Sequence, residues 1–225
     1  DILKQSRRLG LDIEFFDAVD GRFGLPAQHA GLVNREGAQR RLGKVMTEAE
    51  LSCALSHALL CKKIAEDPCA EGAVILEDDA IFGSDFANLI QSGELQRSAE
   101  DLVLLYHSRA RVFKDYDRRF FEVFHLRRPI GPPSGALAYY VCRKGAQMIS
   151  NKSLPISGVA DWGFDIALLD AKCLEPAIVQ HPALRQEQST IRATQEITKV
   201  SLLAKLKNRA YRRYMVRKPF SERIS

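Results

Sequence analysis

The sequence predicts an α/β domain with a largely parallel sheet, because short apolar runs of strand length alternate with segments of helical period. The clearest strand, residues 73–76, is followed at once by the acids Glu77, Asp78 and Asp79. The chain has 225 residues, 46% of them hydrophobic and 27% charged, which is typical of a globular domain with a sizeable core. No apolar stretch approaches the roughly 18 residues that a transmembrane helix needs.

The first half of the chain predicts a strand, an irregular segment and a long helix. Residues 12–16 have the composition of a short strand, and residues 22–45 carry Gly, Pro and Arg without a clear period. Thr47 and Glu50 have the spacing of a capping box, so a helix is expected to begin there and to be closed by Pro68. The residues between them repeat apolar side chains every three or four positions, as a helix with one buried face does.

The alternation of strands and helices continues in the second half. Strands are predicted at 102–106, 136–142 and 177–180. One helix is predicted to begin at residue 143, and another to cover 161–170. The charged and aromatic segment at 109–128 is expected to form a hairpin or a lid, and residues 129–133 form a loop. We find no internal repeat and no low-complexity tract.

The cysteines argue against both a disulfide framework and a zinc site. They are odd in number, scattered and without a C-x-x-C pair: Cys53, Cys61, Cys69, Cys142 and Cys173. Packing of reduced thiols in an apolar interior is the expected role, which favours a reducing compartment.

The acidic run at residues 77–79 predicts a site for a metal and a phosphate. Three adjacent carboxylates repel one another, so they need either solvent or a cation. Oxygen ligands of this kind suit Mg²⁺ or Mn²⁺, and the carboxyl ends of strands are where open α/β sheets bind ligands. A solvated acidic turn is the alternative interpretation.

Four motifs in a fixed order carry a resemblance to a known family. They are Ala18-Val19-Asp20-Gly21, Leu55-Ser56-His57, the run from Val74 to Asp79, and Ala138-Tyr139-Tyr140-Val141 followed by Arg143-Lys144-Gly145-Ala146. Over residues 9–192 the chain resembles the bacterial lipooligosaccharide glycosyltransferases of family 25, which also include collagen galactosyltransferase domains. Residues 188–191 resemble the end of that family's catalytic domain.

The resemblance implies a GT-A-like fold with a Rossmann-type sheet over residues 1–195, followed by a basic tail at 196–225. It implies inverting transfer of galactose or glucose from a UDP-sugar to a lipooligosaccharide or LPS core acceptor, with Mn²⁺ or Mg²⁺ as cofactor. The family normally opens with a strand bearing paired arginines, so residues 1–195 are expected to lack that first strand. The enzyme is expected in the cytoplasm, peripheral on the inner face of the bacterial inner membrane.

Three residues are candidate metal ligands. In GT-A enzymes the last acid of the run binds the metal, which assigns Asp79 first and Glu77 second. Side chains alternate along an extended strand, so Glu77 and Asp79 would share a face while Asp78, a candidate for donor binding, points away. If the strand bends at this point, Asp78 replaces Glu77 as a ligand. His181 stands where some GT-A enzymes supply a third ligand, although a lone histidine also has many structural uses.

The other donor-binding candidates are Asp20, Gly21, Ser56 and His57. Asp20 and Gly21 end a predicted strand and could meet the nucleoside, but Asp-Gly is also a favoured turn pair. His57 follows Ser56 on the predicted helix and takes a donor-side role from the resemblance. A satisfied histidine of the core is the alternative.

Inverting transfer needs a general base near the acceptor hydroxyl. The family carries an Asp soon after a Pro-Ile or Pro-Val pair, which makes Asp161 the first candidate and Asp165 the second. Trp162 would then offer a platform for a sugar ring. The alternative for Asp161 is the N-cap of the predicted helix at 161–170.

The positive charge of the chain is concentrated at its C-terminus. Residues 199–225 hold nine of the 33 Lys and Arg residues and one acid, which leaves 24 basic against 27 acidic residues in the rest of a chain of net charge +5. An apolar stripe of helical spacing accompanies them: Val200, Leu203, Leu206, Ala210 and Tyr214. Residues 199–218 therefore predict an amphipathic helix on an anionic membrane, or else a helix that packs this stripe on the catalytic domain. No nucleic-acid-binding motif accompanies the charge, so nucleic acid is not an expected partner.

Other classes of protein fit the pattern less well. Receiver domains place their acids at the end of the first strand, whereas more than seventy residues precede Glu77 here. A phosphohydrolase would need a nucleophile with its base, and no such pattern occurs. A non-catalytic nucleotide-sugar or metal-binding protein is the alternative to the enzyme.

Overall fold

The computed structural model describes residues 1–108, 110–182 and 209–224. Within them the helices are α1 (Ile2–Arg8), α2 (Arg35–Leu42), α3 (Glu48–Glu66), α4 (Ser84–Ser92), α5 (Glu94–Arg97), α6 (Arg143–Ser153) and α7 (Arg209–Arg217). The strands are β1 (Gly72–Leu76), β2 (Ile81–Phe82), β3 (Leu102–Leu104), β4 (Arg111–Phe121), β5 (Phe124–Pro129), β6 (Ala138–Cys142), β7 (Ala171–Glu175), β8 (Val179–Gln180) and β9 (Ser221–Arg223). Short 3-10 turns occur at Ala27–Leu32, Ile166–Leu168 and Lys218–Phe220. In these ranges no helix is both long and apolar enough to cross a membrane.

The main sheet has seven strands in the order β1-β6-β3-β7-β5-β4-β9, and β2 pairs separately with β8. Among the described strands only β3 and β7 pair in parallel, so the prediction of a largely parallel sheet is wrong. The mixed α/β composition is confirmed. β1, β3 and β7 do point the same way, as strands joined through helices should, but β6 lies antiparallel between β1 and β3. Near-continuous apolar runs are typical of parallel strands, which are buried on both faces, but the antiparallel β6 is buried on both faces as well and therefore shows the same run.

The two faces of the sheet carry separate cores. Leu102 and Leu104 pack with apolar side chains of α3 and α6 on one face. Val103 and Leu105, which alternate with them, pack with α4 and α5 on the other. Each of these side chains is fully buried, which stabilises the fold by about 1.5–3 kcal/mol per residue.

The predicted long helix and the hairpin are confirmed. Thr47 and Glu50 form the capping box of α3: the Glu50 amide donates to Thr47 Oγ1 at 3.1 Å and the Thr47 amide to Glu50 Oε2 at 2.9 Å. The helix ends at Glu66, two residues before Pro68. The segment at 109–128 forms most of the β4–β5 hairpin.

Three local predictions are wrong. Residues 12–16 form no strand, and the segment at 22–45 contains α2, whose N-cap Asn34 accepts from the Gly37 amide at 2.8 Å. Most of α2 is polar and only Ala38 is buried, so it lacks the apolar period that reveals a helix. The helix expected at 161–170 is reduced to a 3-10 turn, because Trp162 has a left-handed backbone with φ 61° that interrupts any helix.

The last described residues are part of the main sheet. β9 pairs with β4 at the sheet edge, and the buried guanidinium of Arg127 binds Glu222 of β9 together with Glu175 of β7, the latter at 2.5 Å. Helix α7 contacts the domain through Arg213, which binds Asp165 at 2.5 Å. Most of the stripe predicted at 200–214, and the boundary at 195, lie outside the described residues.

Gly145 in the first turn of α6 tests the packing of α6 against the sheet. A Cβ at this position would lie 2.2 Å from the Asp101 carbonyl oxygen, so the helix must shift away from the backbone that leads into β3. We expect Gly145→Ala to lower the free energy of unfolding by about 1–3 kcal/mol, measured by urea denaturation. Gly31→Ala is the matched control, because a Cβ there meets nothing within 4 Å. Equal stability of the two variants would contradict this packing.

Candidate active site

The acidic run lies at the carboxyl end of β1, as predicted. The Glu77 amide donates to the Leu137 carbonyl at 2.8 Å, which continues the β1–β6 pairing by one residue. The chain then turns, with the Ala80 amide donating to the Glu77 carbonyl at 3.2 Å. Because the strand ends at Leu76, the alternation expected for Glu77 and Asp79 does not extend through the acids, and these two side chains have different partners.

Glu77 binds His57 on α3. The distance from Glu77 Oε1 to His57 Nε2 is 3.1 Å, and the other ring nitrogen, His57 Nδ1, lies 2.9 Å from the hydroxyl of Tyr139. Tyr139 comes from β6 and is 1% exposed, so it fixes the imidazole from the core side. Tyr139 therefore holds the imidazole of His57 in position to bind the Glu77 carboxylate.

Cys53, one helical turn before His57, completes this group. The ligand atoms of Cys53, His57 and Glu77 all lie within 4.8 Å of one another. Burial alone would lower the pKa of His57, but its hydrogen bonds to Cys53 and Glu77 outweigh burial and raise the pKa to about 9. Cys53 and Tyr139 were not among the site residues predicted from the sequence. The spacing of four residues between Cys53 and His57 was the available signal, because it puts both on one helix face.

Asp79 and His181 come together, although 102 residues separate them in sequence. Asp79 Oδ2 lies 3.2 Å from His181 Nε2, and His181 Nδ1 donates to the Pro182 carbonyl at 2.7 Å. Burial, helped by the charges of Glu77 and Asp78, raises the pKa of Asp79 against the opposing effect of His181. Asp78 is exposed.

Asp161 lies close enough to Glu77 and His57 for their charges to affect its pKa. Its Oδ1 accepts from the Ala136 amide at 2.9 Å, and the Gly135 amide also donates to the carboxylate. Burial raises the pKa of Asp161, while the charges of Glu77 and His57 act on it in opposite directions. The N-cap alternative is wrong, because no α-helix follows and Asp165 caps the 3-10 turn instead, accepting from the Ala167 amide at 3.2 Å.

Trp162 does not offer a sugar platform. Only 6% of its surface is exposed, and its ring meets Tyr139 edge-on with centroids 5.2 Å apart. The indole Nε1 is buried and has no hydrogen-bond partner among the described residues. It lines, with His57 and Tyr139, a small cavity of about 20 Å³.

Asp165 has a different partner from the acids at 77–79. Its Oδ2 binds Arg213 of α7 at 2.5 Å, so it connects the segment after Asp161 to the C-terminal helix. The two candidate bases therefore have different surroundings: backbone amides hold Asp161, and a cation holds Asp165.

Ser56 and Gly21 hold the loop at residues 17–21 against α3. Ser56 Oγ accepts from the Val19 amide at 2.9 Å and donates to the Ser52 carbonyl at 2.7 Å. Gly21 approaches so closely that a Cβ would lie 2.3 Å from Ser52 Oγ. The Ser56 hydroxyl therefore already has an acceptor and a donor as partners, and position 21 has no room for a side chain.

Asp20 is left on the outside of this loop. It binds Arg22, with 2.7 Å between Oδ2 and Nη2, and about half of its side chain is exposed. The hydrogen bonds from Arg22 lower the pKa of Asp20 to about 2, so this carboxylate is ionised at any physiological pH.

The sequence matches the model of a known family. The family model of glycosyltransferase family 25, the LPS biosynthesis proteins, matches residues 1–160 of the 225. The chain belongs to glycosyltransferase family 25. None of the curated proteins compared with it matches the chain.

Family membership makes the protein a transferase of LPS biosynthesis and implies a sugar donor and an LPS acceptor in general terms. The predicted resemblance is thereby confirmed. The match includes the acids at 77–79 with Ser56 and His57, and it ends immediately before Asp161. Asp165 and His181 also lie beyond it, so their assignment depends on the contacts described above.

Proposed function

We propose that this family 25 member is an inverting hexosyltransferase that moves galactose or glucose from a UDP-sugar to a lipooligosaccharide or LPS core acceptor. One observation carries the proposal: Asp79 pairs with His181 just after the end of β1. The charge of the neighbouring Glu77 affects the pKa of both Asp79 and Asp161, so the pair and the candidate base lie near the same carboxylate. A cation-binding pair beside a half-buried carboxylate is what transfer from a diphosphate donor requires.

The residues fit a divalent cation. His181 Nδ1 donates its proton to a carbonyl, so in the neutral ring Nε2 presents a lone pair to the Asp79 carboxylate at 3.2 Å. Two acceptors at this distance favour a cation between them. We propose Mn²⁺ or Mg²⁺ at Asp79 and His181, where the imidazole favours Mn²⁺. Glu77, which lies with His57 and Cys53 in the described part of the chain, would turn to the ion as the second carboxylate. When bound, the ion would offset the negative charge that develops on the departing diphosphate.

Asp161 is proposed as the general base. The acceptor oxygen bonds to the anomeric carbon as the bond to UDP breaks, and the hydroxyl proton passes to the Asp161 carboxylate. Burial raises the pKa of Asp161, which makes it a stronger base, and the two backbone amides hold it in place. Asp161 is preferred to Asp165 because the guanidinium of Arg213 already occupies the Asp165 carboxylate.

The loop at 17–21 is proposed to bind the nucleoside. Asp20 is ionised and half-exposed, so it can accept hydrogen bonds from ribose hydroxyls. Gly21 and Ser56 would act indirectly, by holding that loop on α3. His57 would orient Glu77, and the exposed Asp78 would face the donor.

Helix α7 and the turn after it support a place on the inner face of an anionic bacterial membrane. Arg213 and Tyr214 face the domain, since Arg213 binds Asp165 and a Cβ on Gly131 would meet the Tyr214 ring at 2.9 Å. Met215, Val216 and Phe220 are exposed by 43%, 71% and 68%. The exposed basic residues Arg212 and Lys218 accompany them, and apolar side chains with cations suit a headgroup region where a lipid-linked acceptor lies.

A non-catalytic nucleotide-sugar or metal-binding protein is the second candidate. The observation that favours it is the end of the family match at residue 160, which leaves the proposed base outside. Turnover distinguishes the two candidates, because both predict metal-dependent binding of UDP.

Release of UDP from a panel of UDP-sugars, with Mn²⁺ or with chelator, tests the class of reaction. We expect turnover of one donor that is lost on chelation and is lowered at least about 100-fold by Asp79→Asn, because a cation ligand is removed. Asp85→Asn, the same change at an exposed carboxylate of α4, is the control and should keep the wild-type rate. Full activity of Asp79→Asn would contradict the metal assignment.

The general base is tested by comparing Asp161→Asn with Asp165→Asn. We expect the first to lower kcat by about 10²–10⁴-fold while metal-dependent UDP binding is retained, because only proton transfer is lost. The second should change kcat by no more than a few fold. If the larger loss fell on Asp165→Asn, the assignment of the base would be reversed.

Vesicle flotation tests the membrane surface. Replacing Met215, Val216 and Phe220 together by Ser should lower binding to phosphatidylglycerol-containing vesicles by tenfold or more, on the order of what burial of one such side chain contributes. Phe23→Ser is the control, since Phe23 is 95% exposed at another part of the chain. Equal binding of both variants and the wild type would show that this surface is not used.

A further inference from the structure

The Cys53, His57 and Glu77 side chains form a group that the transfer reaction does not fully use. Their ligand atoms lie within 4.8 Å of one another, and each residue is half-buried. We propose that these three residues bind Zn²⁺ at a second site beside the Asp79–His181 pair. A thiolate, an imidazole and a carboxylate are ligands that zinc takes in proteins.

The geometry of the group is already close to that of a zinc site. Cys53 and His57 are four residues apart on α3 and therefore project from one face, while Glu77 approaches from the end of β1. The distance of 3.1 Å from His57 Nε2 to Glu77 Oε1 is near the roughly 3.3 Å that separates two ligands with 2.0–2.1 Å bonds to one tetrahedral zinc. Three protein ligands leave the fourth position open.

The surroundings orient the histidine for this role. Zinc-binding histidines use one ring nitrogen as ligand and donate the proton of the other to an oxygen. With zinc on Nε2, His57 Nδ1 would carry the proton and donate it to the hydroxyl of Tyr139, which lies 2.9 Å away; that hydroxyl in turn lies 3.9 Å from Cys61 Sγ. Tyr139 is buried on β6, so the imidazole is held in position before any ion binds.

The chemistry separates the two neighbouring sites. A thiolate selects zinc and similar soft ions and is a poor ligand for Mn²⁺ or Mg²⁺, whereas the Asp79–His181 pair contains no sulfur. Glu77 is a ligand in both the proposed zinc site and the Mn²⁺ site of the proposed function, so the two ions would compete for it. This consequence rests on the proposed function. Zinc bound at Cys53 is therefore expected to inhibit Mn²⁺-supported transfer without displacing Mn²⁺ from Asp79.

Cobalt titration of the full chain, with Co²⁺ as a coloured probe for Zn²⁺, tests the proposal. We expect a sulfur-to-cobalt charge-transfer band in the wild type that one equivalent of Zn²⁺ abolishes. Cys53→Ser should lose the band and bind Co²⁺ at least about tenfold more weakly. Cys69→Ser, which removes an exposed thiol elsewhere, and Asp79→Asn, which removes the neighbouring site, should both keep it. The absence of the band in the wild type, or its persistence in Cys53→Ser, would overturn the proposal.

Alkylation of the wild-type protein repeats the test without a substitution. Zn²⁺ should protect Cys53 from iodoacetamide, measured by peptide mass spectrometry, and should leave Cys69 unprotected as the internal control. Equal modification of Cys53 with and without zinc would refute the site. Both measurements are independent of UDP-sugar turnover, so a failure of the transferase proposal would leave them interpretable.

Discussion

The pairing of β6 between β1 and β3 is the constraint on which the candidate site depends. The segment at 135–139 contacts three residues of the site: the Leu137 carbonyl accepts from the Glu77 amide, the Tyr139 hydroxyl binds His57, and the amides of residues 135 and 136 hold Asp161. Because β6 bonds to a strand on each side, this segment has little freedom to move. Glu77, His57 and the proposed base are therefore positioned by one stretch of backbone.

Electrostatics makes this site favourable for cations. Burial raises the pKa of both Asp79 and Asp161, and hydrogen bonds to Cys53 and Glu77 raise the pKa of His57 to about 9 against the effect of burial. Protonation of the free site and binding of a metal are two ways to satisfy the same excess of acceptors. A donor that brings a diphosphate would bind here only together with a cation, which agrees with the metal-dependent transfer we propose.

Strand β9 and the ion pair of Arg213 fix the position of the C-terminal residues 209–224 on the domain. β9 completes the sheet edge, and the buried Arg127 binds both Glu175 and Glu222, so loss of β9 would remove one of the two carboxylates that pair this guanidinium. Arg213 binds Asp165, which is close in sequence to the proposed base. The exposed apolar side chains of α7 are thus held at a set orientation to the domain, which would let the membrane surface and the acceptor be aligned with the site.

The sequence by itself determined the parts of this protein that depend on neighbouring residues: the capping box of α3, the strand β1 and the acids that follow it. It also placed Asp79 and His181 in one candidate ligand set, by comparison with other GT-A enzymes, and the two side chains are in contact. Only the tertiary structure decided the direction of β6, the burial of Trp162 and the meeting of Cys53 with Glu77. The physical reason is that hydrophobic period and capping report local hydrogen bonds and burial, whereas strand direction and side-chain partners are set by contacts between distant segments.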